Sequence, residues 1–173
     1  MATAATYSAT ETLRDGRPVE IRALRPDDRA DLLDAVGRTG ADSLRRRFFG
    51  PKRSFSEKEI AYYVDIDFVR HVALVAVVDE DGHPAIVGGA RYVVTEPGKA
   101  EIAFAVVDQY QGQGLGAALM RHLAAIARAA GLREFVAEVL PGNAPMLKVF
   151  ARSGFQVRTA RGPDGVHVTL GLA

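Results

Sequence analysis

Apolar positions divide the chain into short elements. Residues 19–24 alternate apolar and polar and read as a first strand. Pro26-Asp27-Asp28 then opens a helix, because proline and acids suit a first helical turn. Residues 43–49 predict a second short helix, broken by Gly50-Pro51. Ser56 with Glu59 forms a capping box for a third, over residues 56–64. Three strand-like runs follow, over residues 71–78, 85–95 and 101–107, separated by turns around Gly82 and Gly98. They predict an antiparallel meander. Residues 115–130 place Leu115, Ala118, Leu119, Leu123 and Ile126 on one helical face, and Gly131 ends the helix. A buried strand over residues 135–140, a helix over 144–153 and a hairpin of residues 155–159 and 166–170 complete the chain. The expected order is β-α-α-α-β-β-β-α-β-α-β-β. Residues 1–12 are rich in Ala and Thr and read as a flexible tail before a single domain over 13–173.

Composition narrows the picture. A chain of 173 residues that is 48% hydrophobic can bury one substantial core. With 22 basic and 21 acidic residues it lacks the basic excess of a nucleic-acid binder. It has no cysteine, hence no disulfide, thiolate nucleophile or thiolate metal site. No apolar stretch approaches the ~20 residues needed to cross a bilayer. The first residues lack a basic n-region and an apolar core, so no secretory signal is read there. A cytoplasmic location without membrane or nucleic-acid partners is the expectation. The four histidines show no shared ligand spacing, so no metal is expected. Arg45-Arg46-Arg47 beside Phe48-Phe49 reads as a solvated helix face rather than a docking surface.

The chemistry concentrates in Gln111-Gly112-Gln113-Gly114-Leu115-Gly116, between a strand and a helix. A glycine-rich turn there leaves backbone N–H groups free at the positive end of a helix dipole, a natural seat for phosphate. A P-loop is excluded because Leu115-Gly116 stands where Lys-Ser/Thr is needed. Gly112, Gly114 and Ala117 fit a dinucleotide fingerprint formally, and Glu138 could be its later acid. The chain after Gly116 is too short for the remaining βα units of such a fold. Gln111, Gly114 and Gly116 instead match the Q/R-x-x-G-x-G/A turn of the GNAT N-acetyltransferases. Asn143, then Phe150, then Gly154-Phe155 resemble that family's second motif. The resemblance runs from about Val19 to the C-terminus.

The resemblance implies the GNAT acyl-CoA N-acyltransferase fold, α/β (α+β), with a mixed, mostly antiparallel sheet flanked by helices. It implies acetyl-CoA as co-substrate and no metal. Gln111, Gly112, Gln113, Gly114, Leu115 and Gly116 would hold its pyrophosphate. Phe104, Val106 and Val107 would offer backbone groups to the pantetheine arm where two strands splay. Asn143 would cap the last helix and also contact the cofactor. Glu101 would be the base that deprotonates the acceptor amine, its carboxylate tuned by the apolar Ile102 and Phe104. Phe150 stands where many relatives carry a tyrosine that protonates the leaving thiolate. It lines the cofactor site but cannot donate a proton; Tyr92 and Tyr110 have no assigned place there.

For the acceptor, Ser43-Leu44-Arg45-Arg46-Arg47-Phe48-Phe49, Ile66-Asp67-Phe68-Val69-Arg70 and Ala73-Leu74-Val75-Ala76 resemble the catalytic domain of bacterial Pat-type protein lysine acetyltransferases. Glu101 falls on that family's catalytic glutamate. The resemblance implies acetylation of lysine on AMP-forming acyl-CoA synthetases and other proteins. Acetylation of a small amine is the alternative, and a non-catalytic acyl-CoA sensor or a nicotinamide enzyme would be different classes. Homodimers are frequent in the family, so a dimer is a further expectation by analogy.

Overall fold

The computed structural model describes residues 6–37, 66–139, 144–152, 154–163 and 165–172. The helices expected over residues 43–49 and 56–64, the basic run Arg45-Arg46-Arg47 and the candidate Asn143 lie outside them. In chain order the described elements are β1 (Ser8–Thr12), β2 (Pro18–Ala23), a 3-10 turn (Pro26–Asp28), α1 (Arg29–Gly37), β3 (His71–Glu80), β4 (His83–Glu96), β5 (Lys99–Val106), a second 3-10 turn (Asp108–Tyr110), α2 (Leu115–Ala129), β6 (Glu134–Val139), α3 (Ala144–Ala151), β7 (Gln156–Gly162) and β8 (Gly165–Gly171).

The strands form one eight-stranded sheet in the order β1-β2-β3-β4-β5-β6-β8-β7. Every neighbouring pair is antiparallel except β5 with β6. This is the mixed, mostly antiparallel sheet that the sequence pattern and the family resemblance predicted. One expectation fails. Ser8–Thr12, read as part of a loose tail, is an edge strand paired with β2 from Ser8↔Arg22 to Thr12↔Pro18. Its sequence, SATET, carries no apolar alternation, so hydrophobic patterning cannot find it. Backbone pairing and polar side-chain contacts hold it instead.

The core follows from the alternation. On β5, Ala100, Ile102 and Phe104 are buried, while Glu101 is exposed. The expected face of α2 is buried in full, with Leu119 and Leu123 at 0% exposure. Burying each contributes about 1.5–3 kcal/mol. α2 lies across β3, β4 and β5. Gly88 allows that approach: a Cβ there would stand 3.2 Å from the Ala105 carbonyl oxygen and 3.2 Å from Leu115 Cδ2. Below the sheet's first strands, Arg22 and Asp28 form a buried pair, with Nη1–Oδ2 2.8 Å and Nη2–Oδ1 2.9 Å. Asp28 Oδ2 also accepts the Arg25 N–H at 2.7 Å, which fixes the turn into α1. Burial is the largest influence on the Asp28 carboxyl and raises it, but the Arg22 and Arg25 hydrogen bonds and charges together outweigh it and hold the group below its ordinary value.

Candidate active site

The site begins where two strands part. β5 pairs with β4 from Glu96↔Lys99 to Gly88↔Val106, along its whole length. With β6 it makes three parallel rungs only: Lys99↔Glu134, Ala100↔Phe135 and Glu101↔Val136. β6 meanwhile stays paired with β8 through Val139↔Val166. The two strands therefore diverge beyond the Glu101↔Val136 rung, and Glu101 sits at the apex of the fork. The splay inferred from the family resemblance is present.

Main-chain direction inside the fork can be read from one bond. Val107 donates its N–H to Val87 O on β4 at 2.9 Å. Antiparallel alternation then turns the N–H and C=O of Phe104 and Val106 the other way, into the opening. Those two positions have the orientation expected for holding an extended amide-bearing chain. Val107 does not: its N–H is used by β4 and its side chain is 1% exposed in the core. Its place at the cofactor rests on the family resemblance and not on this main-chain direction, since it lies one residue out of phase with Phe104 and Val106.

The glycine-rich turn closes the far end of β5. Gly112 has φ 80° and Gly114 has φ 86°, ψ 7°, the left-handed region that glycine enters without strain. Gly114 is the N-cap of α2, and Ala118 is the first amide with a partner one turn back, Gly114 O at 3.1 Å. The amides before it open the helix without intrahelical partners. Nothing lies within 4 Å of a Cβ built on Gly112, so the turn is open there. Gln111 Nε2 donates to Val106 O at 3.1 Å, folding the turn back onto the strand. Gln113 Oε1 accepts the Asp15 N–H at 3.1 Å. Both glutamines brace the turn with their side chains, while Leu115 is core at 2% exposure. A Cβ on Gly116 would meet Val149 Cγ2 at an ordinary 3.6 Å, so α2 faces α3 there with room for a methyl group.

Glu101 is exposed, and Ile102 and Phe104 are buried on the opposite side of the strand. The apolar surround expected of those two neighbours is therefore absent: strand alternation sends consecutive side chains to opposite faces. The groups sharing the face of Glu101 come from other strands. Val93 is its partner on β4, and His71 pairs with Val93 on β3, one row across three strands. His71 Nε2 lies 3.1 Å from Arg91 Nη1, and Arg91 is two positions along from Val93 on that same face. Asp67 Oδ1 accepts the N–H groups of Val69, Arg70 and His71 at 2.9, 2.9 and 3.0 Å, shaping the entry to β3. Those backbone donors hold the Asp67 carboxyl below its ordinary value. His71 and Arg91 escaped notice in the sequence because only strand register brings them into line with Glu101.

Phe150 is 1% exposed and meets Phe104 edge to face, with centroids 6.2 Å apart. It thus packs behind the fork and supplies no proton. Tyr92 is 1% exposed against Phe135, and burial pushes its hydroxyl up. Tyr110 donates its hydroxyl proton to Glu80, with Arg17 stacked 5.0 Å over its ring. Burial, then the Glu80 bond, raises that hydroxyl too. Both tyrosines are committed elsewhere. Among the described residues no three His, Asp or Glu side chains gather as a metal site. No helix among them is long and apolar enough to cross a membrane.

A mixed sheet that forks beside a glycine-rich helix start, with a carboxylate at the apex, defines an acyl-CoA N-acyltransferase architecture. The sequence matches the profile of the acetyltransferase (GNAT) family over residues 41–155, and the chain belongs to that family. It is 38% identical to the acetyltransferase PA5475 of Pseudomonas aeruginosa over 146 residues, covering 84% of this chain and 78% of that protein. It is 31% identical to the acetyltransferase Pat of Mycolicibacterium smegmatis over 144 residues, 82% of this chain but 42% of Pat. Among solved structures, the GNAT domain of S. lividans PAT superposes with a TM-score of 0.86 at 33% identity, over 95% of this chain and 96% of that one. The chain is thus a GNAT acetyltransferase similar to the catalytic domains of Pat-type enzymes. GNAT enzymes use acetyl-CoA, and a family member from Salmonella typhimurium, yncA, has been solved with it; at 19% identity and a TM-score of 0.69 that likeness concerns the fold alone.

Proposed function

We propose that the chain is an acetyl-CoA-dependent protein lysine Nε-acetyltransferase working by direct transfer. The observation that carries this reading is the fork: its apex is Glu101, and its open side leads along Phe104 and Val106 to the turn at Gln111–Gly116. The pyrophosphate rests on the amides from Gly112 to Gly116. The pantetheine amides pair with main-chain groups of Phe104 and Val106, which brings the thioester toward Glu101. Glu101 takes a proton from the acceptor ammonium, directly or through one water. The amine nitrogen then attacks the thioester carbonyl carbon, and the oxygen gains charge as the N–C bond forms. Collapse breaks the C–S bond and releases CoA as thiolate, and the nitrogen gives up its second proton to water as the amide forms. Phe150 has no hydroxyl, so the thiolate takes its proton from water. No metal takes part.

The similarity to Pat-type domains over nearly the whole chain supports a lysine acceptor. The enzyme would work in the cytoplasm, where acetyl-CoA and such proteins meet, with Asn143 completing the cofactor site. The test is acetyl-CoA consumption by wild type and Glu101→Gln, offered an acyl-CoA synthetase or a panel of small amines. Glu101-dependent transfer to a protein lysine supports the proposal. Transfer to small amines alone replaces the acceptor. Binding of acetyl-CoA without transfer to either class leaves a sensor.

A further inference from the structure

The turn between β1 and β2 lies against the glycine-rich turn. Arg14 donates its backbone N–H to Gln113 O at 3.2 Å and its Nη1 to Gly112 O at 3.0 Å. Asp15 donates its N–H to Gln113 Oε1 at 3.1 Å. The same hairpin grips the chain on either side. Before the turn, Glu11 accepts from Arg121 at 3.1 Å and lies 2.7 Å from His122 Nε2, while Tyr7 bonds the other ring nitrogen of His122. After it, Arg17 stacks over Tyr110 and donates to its hydroxyl at 3.4 Å. Nothing in the phosphate-binding role of the turn itself requires these contacts.

We propose that Arg14 is a positioning residue for the acyl-CoA phosphates, orienting the Gly112–Gly114 peptides and raising their strength as donors. The proposal rests on the cofactor placement proposed above. The carbonyls of Gly112 and Gln113 both point at Arg14, and a trans peptide places its N–H opposite its C=O. The amides of Gln113 and Gly114 are therefore directed away from the hairpin, toward the open side of the turn. A cation donating to a peptide carbonyl also polarises that peptide, so its N–H becomes a stronger donor. Arg14 makes no ion pair among the described residues, so no carboxylate among them competes with the turn for its guanidinium. A side chain needed only to pin the hairpin would not have to be cationic, since the backbone bonds of Arg14 and Asp15 already do that.

The test compares wild type, Arg14→Gln and Arg14→Lys for acetyl-CoA affinity by calorimetry, and for kcat and KM with the acceptor that wild type uses. Apo melting temperature and activity with S-acetyl-pantetheine, which lacks the phosphates, complete the set. Arg14→Gln is expected to weaken acetyl-CoA binding and raise its KM about tenfold, with kcat within about twofold of wild type. Its kcat/KM with S-acetyl-pantetheine should match wild type, and Arg14→Lys should recover part of the affinity. Unchanged affinity in Arg14→Gln overturns the proposal. So does an equal loss with both thioesters, or a lowered melting temperature without rescue by lysine, since each marks a purely structural contact. Failure of wild type itself to bind acetyl-CoA overturns the cofactor placement, and the role of Arg14 with it.

Discussion

Strands β1 to β5 form a continuous antiparallel block, and β6, β8 and β7 form a second one. Inside each block the longest ladders run the full length of the strands, from His71↔Val93 to Glu80↔His83 between β3 and β4 and from Gln156↔Gly171 to Gly162↔Gly165 between β7 and β8. Between the blocks only three rungs join, all at one end of the seam. A fully laddered strand satisfies its own peptides and offers nothing to a ligand. β5 has one edge of each kind. Its β4 edge fixes the strand, and the part of its β6 edge beyond the rungs leaves the Phe104 peptide groups and the Val106 N–H able to pair with something else, while Gln111 holds the Val106 carbonyl. Stability and chemistry are separated on the two sides of a single strand.

The strongest way to break this contrast is at the apex. Glu101→Gln keeps the shape of the third rung but removes the base. Turnover should fall about 100- to 10,000-fold. Acetyl-CoA affinity, measured by calorimetry, should stay the same. A loss of only a few-fold would mean that the fork places the thioester but that the proton leaves by another route.

The closed end of the seam offers the next largest effect. Phe135 is fully buried on β6 and packs against Tyr92 of β4, ring centroids 5.7 Å apart, behind the rung to Ala100. Phe135→Ala should cost about 3–5 kcal/mol in urea unfolding. If the cost were near 1 kcal/mol, the blocks would be held together by the helices rather than across the seam.

At the other end of β5 the effect is smaller and local. Gly114 holds φ 86°, where any L-residue is strained. Gly114→Ala should cost roughly 1–2 kcal/mol of stability. It should also weaken acetyl-CoA binding, because relieving the strain at that φ shifts the turn whose amides hold the pyrophosphate. Unfolding and binding measured on one variant separate the two effects. Loss of stability with unchanged affinity would remove Gly114 from the cofactor site.

How legible the two blocks were in the sequence follows the same divide. Apolar alternation on β3, β4 and β5 and the buried stripe of α2 are dense signals, and the fold family rests on them with the turn motif. The fork is legible only through resemblance, because a splay is a relation between strands and leaves no periodicity in either. Glu101 could be picked out by position, but its neighbours could not. Its chain neighbours Ile102 and Phe104 face away, whereas His71 and Arg91, distant in sequence, share its face. Val106 and Val107 are adjacent in the sequence, yet one step along a strand reverses the direction of every main-chain group, and the motif carries no sign of that phase. β1 was missed because Ser8–Thr12 is polar at an edge, held by contacts to α2 that no local pattern encodes.

That edge supplies the smallest and most discriminating effect. Glu11 has its carboxyl held below the ordinary value, first by its hydrogen bond to His122, which with the Arg121 charge outweighs the opposing effect of desolvation. A depressed carboxyl contributes stability that is present above its unfolded value, near 4.3, and is lost as pH falls through the folded one. Wild type should therefore lose this contribution in acid, below about pH 4. Glu11→Gln should be less stable by about 0.5–1 kcal/mol at pH 7, since the partners are partly solvated. Its deficit against wild type should shrink toward zero in acid. Urea unfolding of both proteins at pH 7 and near pH 3 measures this. A deficit that persists unchanged at low pH would mean that shape, not charge, docks β1. If the deficit instead follows pH, the strand with the weakest apolar signal is tied down electrostatically, about two helix turns beyond the residues that Arg14 orients, and the antiparallel block reaches around to brace the turn at the fork's far end.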